Sequence, residues 1–293
     1  MIAHLAASTD LWSQLFDFAD YGELLALVKN SIFAGAVLGL VGGLIGVFVM
    51  QRDMAFAVHG ISELSFAGAA AALFFGVNVV IGSLAGSLIA AILIGILGAR
   101  ARDRNSIIAV LMPFGLGLGI LFLALYPGRS ANKFGLLTGQ IVSVDDPQLG
   151  WLLVIGAVVL VGLLVMWRPL TFDSLDADVA ASRGVPVRAV SLLFMILLGL
   201  AVAVSVQIVG ALLVLSLLVT PAAAAMRISS SPRAVPLLSV GFALLSVVGG
   251  IMLALGSSLP ISPYVTTISF VIYLVCRVTG ARRGSRRAVS QAG

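Results

Sequence analysis

The chain is poor in charge, in cysteine and in histidine, and each shortage removes a class of function. Only 10% of its 293 residues are Asp, Glu, Lys or Arg while 60% are hydrophobic, against about 25% charged and 45–50% apolar in a soluble domain. With a mean hydropathy of +1.17, it reads as a polytopic membrane protein. The lone Cys276 excludes an intrachain disulfide and a multi-cysteine metal cluster, and reads as a small buried apolar side chain. The two histidines, His4 and His59, cannot make the His-Glu-x-x-His motif of an intramembrane metalloprotease. None of the 32 glycines belongs to a Gly-Lys-Ser/Thr phosphate loop, so hydrolysis of ATP by that route would need another subunit. Met1 to Tyr21 lacks the basic start and small-residue cleavage pattern of a signal peptide, so no segment is expected to be removed.

What is present is a succession of apolar runs near the length needed to cross the hydrocarbon core. They lie near 31–51, 54–76, 77–98, 106–126, 150–167, 189–206, 209–226, 234–256 and 260–277. The stretch 189–226 is too long for one span. Its 38 residues would form a helix of roughly 57 Å, nearly twice the bilayer core, so two crossings joined by a tight turn near Gln207 are expected.

Charge supports that count. The net charge of +5 follows the ends of the spans instead of forming one basic face, which argues against a nucleic-acid partner. With nine crossings and the N-terminus outside, the inward segments carry Arg52; Arg100, Arg102 and Arg104; Arg168, Arg183 and Arg188; Arg227 and Arg233; and Arg277, Arg282, Arg283, Arg286 and Arg287. Only Lys29, Arg129 and Lys133 remain outside. The expected fold is an all-α polytopic membrane protein of about nine transmembrane helices, with its C-terminus cytoplasmic. Residues 1–30 form an extracytoplasmic segment, 31–277 the transmembrane domain and 278–293 a basic tail placed near anionic lipid. The acidic group Asp10, Asp17, Asp20 and Glu23, with His4, reads as solvated surface.

Glycines recur at helix-packing intervals, as in Gly35-x-x-x-Gly39, Gly42-x-x-x-Gly46, Gly82-x-x-x-Gly86 and Gly115-x-Gly-x-Gly119. Small residues let helices approach until backbones touch, so these read as packing surfaces. Pro221, after Thr220, reads as a kink in the seventh span. Gln207 reads either as lining a gate or as satisfying backbone at the turn.

The second span carries the most informative pair. His59 and Glu63, four residues apart, fall on one face of a helix. Ionisable groups at membrane depth cost several kcal/mol and usually mark function, and an imidazole beside a carboxylate is a natural ligand pair for a divalent transition metal. A hydrogen-bonded pair that only braces the bundle is the alternative.

The longest inward polar interval, 168–188, reads as a short cytoplasmic helix. Asp173 or Ser174 would cap it, Asp176 and Asp178 would occupy its first turn, Gly184 would take the left-handed position after its end, and Pro186 would stop it. It is either a connector or a docking element.

The run Leu175-Asp-Ala-Asp-Val-Ala-Ala-Ser-Arg-Gly184-Val-Pro-Val-Arg188 resembles the cytoplasmic segment of the ABC-importer permeases that carry zinc, manganese or iron(II). The stretch from Val206-Gln207-Ile-Val-Gly210 to Thr220-Pro221-Ala-Ala-Ala-Ala225 is similar to that family's Gln-x-x-Gly and Leu-Leu-x-x-Pro-Ala pattern. The second span departs from the family's usual Gly-Asp-x-x-Ser-His and Leu-Pro-Gly: His59 stands at the aspartate position, Glu63 at the histidine position, Ser62 is kept, and Ala67 replaces the proline before Gly68. The resemblance implies a type II ABC-importer-like permease in the bacterial plasma membrane, not itself an enzyme. It implies a permease homodimer, a separate ATPase subunit that carries the ATP, and an extracytoplasmic metal-binding protein. No cofactor is bound permanently; the cargo is a divalent ion, zinc first and manganese next, touched by His59 and Glu63. Asp176, Ala180 and Gly184 would contact the ATPase. A proton-driven secondary metal transporter, or an ABC permease for a metal chelate or vitamin, is the rival reading.

Overall fold

The computed structural model describes residues 28–98, 101–128, 135–136, 144–211, 213–255 and 261–291. The acidic N-terminal group, Arg100, Arg129 and Lys133 lie outside the described residues, as do the side chains of Arg102 and of the tail arginines.

The apolar runs become helices because backbone N–H and C=O groups in lipid must be satisfied within the segment. The elements are α1 (Lys29–Gln51), α2 (Ala55–Phe75), α3 (Val79–Leu97), α4 (Ala101–Leu125), α5 (Asp146–Leu175), α6 (Ala177–Ser182), α7 (Val187–Val209), α8 (Val214–Leu218), α9 (Thr220–Ile228), α10 (Ala234–Leu255) and α11 (Ile261–Gln291). Eight of these are long and apolar enough to cross a membrane. Polar punctuation sits between them. Gly76, at φ +70°, ends α2, and the Asn78 side chain accepts the Val80 N–H at 2.8 Å to start α3. Asp145 accepts the Gln148 N–H at 2.9 Å to start α5.

Two elements differ from expectation. The fifth helix runs on from 167 to Leu175, although Pro169 lies inside it. Buried Leu170 and the ion pair made by Asp173 hold this extra length, and the Thr171 and Ser174 hydroxyls bond back to the carbonyls of Trp167 and Leu170. Asp173 and Ser174 are therefore not the cap of the next helix.

The seventh crossing is broken. The chain turns at Gly210, with φ +83°, three residues beyond Gln207, and the expected seventh span is replaced by α8 and α9, about 22 Å of helix where the hydrocarbon core measures about 30 Å; it is not among the eight helices long enough to cross. Pro221 has no N–H for the Leu217 carbonyl one turn back, which separates α8 from α9. Irregular backbone is tolerated at this depth because protein surrounds it: Ala211, Leu213, Val214, Leu217 and Leu218 are all buried.

Polar contacts define the two faces of the bundle. On one, Asn30 at the start of α1 bonds Asp146 of α5 at 2.8 Å, and Gln207 at the end of α7 bonds the Val79 carbonyl of α3 at 3.2 Å. On the other, Arg52 after α1 pairs with Asp173 of α5 and bonds Ser191 of α7 at 3.1 Å, while Arg104 of α4 donates to the Arg52 carbonyl. Residues Gln51, Leu175, Met226 and Pro236 line one cavity there, so α9 ends on the same face. The short, broken α8–α9 unit thus runs from one face to the other, and the described inter-helix arginine segments gather on a single face.

Glycine approach sets the interior. Gly68 of α2 meets Gly82 and Gly86 of α3 backbone to backbone, Gly46 of α1 meets the Leu218 carbonyl, and Gly43 meets Val240 of α10. Helix α2 is the axis of the packing, held by α3, α4 and α7.

Candidate metal path on the second span

His59 and Glu63 occupy the second and third turns of α2, just inside the arginine-rich face. The continuous helix stacks them one turn apart, with His59 Nε2 3.7 Å from Glu63 Oε1, beyond the reach of a hydrogen bond. The Glu63 side chain is 7% exposed and that of His59 29%. The ring is not locked onto a neighbouring carbonyl: His59 Nδ1 is buried and has no hydrogen-bond partner. A histidine present only to brace the bundle would be expected to place that nitrogen on a partner.

Close packing fixes the helix that presents them. The Ser62 hydroxyl bonds the His59 carbonyl at 2.8 Å. Gly60 lies against Ile108 and Met112 of α4, and Gly115 of α4 lies against the Glu63 and Leu64 backbone. On the far side, Ser65 and Ser83 hydroxyls meet at 2.7 Å and Ser83 reaches the Ala203 carbonyl of α7 at 3.3 Å. Small residues and hydroxyls thus leave α2 little room to rotate.

The two groups supply one ring nitrogen and one carboxylate. Among the described residues no group of three or more His, Cys, Asp or Glu is placed to hold a metal ion. This pair by itself would offer two ligands, half of what a closed tetrahedral site requires.

Of the residues expected at a coupling contact, Asp176 caps α6: its Oδ1 accepts the N–H groups of Asp178 at 3.1 Å and Val179 at 3.0 Å. Ala180 is fully buried beneath the helix. Gly184 has φ +83°, and the Val185 N–H returns to the Ala180 carbonyl while the Gly184 N–H returns to Ala181. This is a Schellman ending, for which glycine at the left-handed position is strongly preferred. The helix is six residues long, and it starts later than the expected cap at Asp173 or Ser174 because α5 claims Asp173 to Leu175. Gln207 spends its amide on the Val79 carbonyl, so it ties α7 to α3, and Pro221 marks the α8–α9 break.

Reading the sequence missed the Arg52–Asp173 pair. The two residues are 121 positions apart, and the signal available was an aspartate in a stretch that lengthens an apolar span, opposite an arginine at the end of another.

Residues 25–280 match the family model described as the ABC 3 transport family. The chain is similar to the manganese import system permease protein ScaB of Streptococcus parasanguinis, 27% identical over 260 residues covering 88% of this chain and 92% of that protein. It is also similar to the high-affinity zinc uptake system membrane protein ZnuB of Haemophilus influenzae, 26% identical over 253 residues covering 86% and 97%. Among solved structures it resembles PsaBC from Streptococcus pneumoniae in complex with Fab, with a TM-score of 0.79 at 26% identity over 88% of this chain and 95% of that one.

Proposed function

The chain belongs to the ABC 3 transport family, and we propose that the ion it carries, zinc first and manganese next, passes between the His59 and Glu63 side chains of two copies of the protein. It is a multi-pass permease of the bacterial plasma membrane and a subunit of a metal-importing ABC transporter, not itself an enzyme. Such a permease works with an ATPase and a substrate-binding partner. The arginine-rich face is the cytoplasmic one by the positive-inside rule, with residues 1–30 outside and 278–293 inside.

The observation that carries the reading is the unpartnered ring nitrogen of His59 beside a buried carboxylate. Two copies related by a two-fold axis supply two imidazoles and two carboxylates, enough to hold a desolvated cation briefly. Retention must stay weak for the ion to leave, and a site assembled from two movable halves meets that need. Relatives named for manganese and for zinc fit this mixed nitrogen and oxygen set, which suits both ions.

Below the site, α6 is the element that the ATPase grips. Its cap at Asp176, its buried Ala180 and its Gly184 ending make it a rigid stub between α5 and α7, and α7 packs on α2. ATP bound on the partner draws the two ATPase copies together, and the stub converts that movement into a tilt of the spans between outward-open and inward-open states.

Reconstitution tests this directly. Liposomes holding the permease with its ATPase subunit, supplied with its binding protein, should accumulate zinc or manganese only when ATP is present. Uptake by the permease alone under a pH gradient would make it a proton-driven transporter, and uptake of a chelate but not of the free ion would move it to the chelate importers.

A further inference from the structure

On the arginine-rich face the ends of α1, α3, α4, α5 and α7 leave a cavity of about 910 Å³. Arg52, Arg104 and Arg188 line it together with Asp103 and Asp173. The charges do not cancel in place. Asp173 is taken up by Arg52, and Asp103 stands exposed at the start of α4. Arg104 gives one Nη2 bond to the Arg52 carbonyl at 3.3 Å, and its Nε is buried with no partner. Arg188 is exposed at the rim. Two guanidinium groups thus converge on one space with donors to spare, the arrangement that suits an anion with several oxygens.

The wall of the same cavity on the membrane side is apolar. Ile96 lines it, and the last turns of α3 expose Ile92, Leu93, Ile96 and Leu97 at 40%, 36%, 61% and 56%. The bilayer covers this stripe, and a free anion would fill the cationic end alone. A molecule with a phosphate at one end and hydrocarbon at the other covers both. We propose that the cavity is a headgroup site for an anionic phospholipid, its phosphate between Arg104 and Arg188 and an acyl chain along the Ile92–Ile96 side of α3. Basic pockets between spans at the cytoplasmic interface are suited to such headgroups. The site adjoins Ala177, the first residue of α6, so its occupant would touch the base of the coupling element. The proposal does not depend on which ion is carried.

Native mass spectrometry of the full chain in detergent, titrated with phosphatidylglycerol or phosphatidylcholine, tests it. The parent should retain phosphatidylglycerol preferentially. Arg104→Gln and Arg188→Gln should each weaken retention about five-fold, the factor that ~1 kcal/mol per basic residue near an anionic surface gives. The lysine versions should restore most of it, and Arg227→Gln, outside the cavity, should change nothing. Equal retention of the two lipids, or parental retention by the double glutamine variant, would overturn the proposal. Displacement of the lipid by inorganic phosphate alone would reassign the cavity to a free anion. Loss of a dimer as lipid is added would show that the α3 stripe is covered by a second copy.

Discussion

Removing the Asp173 carboxylate should be one of the most damaging single changes at the arginine-rich face. Its side chain is 1% exposed and that of Arg52 10%. Arg52 also bonds Ser191 and lies 5.5 Å from the Phe194 ring centre, contacts that remain when Asp173 is replaced and so do not offset its loss. Breaking a buried pair by deleting one partner costs about 3–5 kcal/mol, because a charge is left uncompensated. The adjoining cavity admits water to Arg52, which places Asp173→Ala near the lower end, at ~3 kcal/mol. Replacing both residues by apolar ones of similar size, Arg52→Met with Asp173→Leu, should return stability to within about 1 kcal/mol of the parent, since no charge is then stranded. The assay is reversible unfolding in mixed micelles followed by tryptophan fluorescence. Trp167, with its ring 5.0 Å from that of Phe48, reports on this end of the bundle. Additive losses in the double variant, or a loss under about 1 kcal/mol for Asp173→Ala, would refute the claim that the two residues are coupled.

Other expectations follow from the packing. Gly46→Ala drives a methyl group into the Leu218 carbonyl and should cost about 1–3 kcal/mol, whereas Gly117→Ala, with no atom near the added carbon, should stay within about 0.5 kcal/mol; the same unfolding assay separates them. Gly184→Ala must hold φ +83° at about 1–2 kcal/mol, visible as faster amide exchange confined to α6 and Val185. Gly184→Asp should leave the permease in the membrane but uncouple ATP hydrolysis from uptake, and unimpaired uptake would remove α6 as the coupling element. Ser83→Ala, which deletes the bonds to Ser65 and Ala203, should cost only about 0.6 kcal/mol.

Local rules made much of the fold legible. Hydropathy located every long helix among the described residues, the arginine spacing called for the chain to return between Gly210 and Arg227, where α8 and α9 lie, and glycine intervals marked where α1 approaches α8 and α10 and where α3 and α4 approach α2. The Gly184 and Pro186 punctuation located the end of α6. Its start was misplaced because Asp173 and Asp176 are both aspartates near a helix boundary, and only the tertiary pairing with Arg52 decides which one is the cap. The break in the seventh crossing was legible as Pro221 but not as a shortened element, since its tolerance depends on the surrounding helices. At the site, His59 and Glu63 were visible because polar groups stand out in an apolar run. The free state of the ring nitrogen was not, because partners on other spans cannot be read from one segment.

The most direct test is uptake of radioactive zinc and manganese by cells carrying His59→Ala or Glu63→Ala, with membrane levels of the protein matched to the parent. Each single variant should lose most transport, and the double variant no more than the worse of the two, because the ligands act on one ion. Accumulation at the parental rate by both single variants would contradict that expectation.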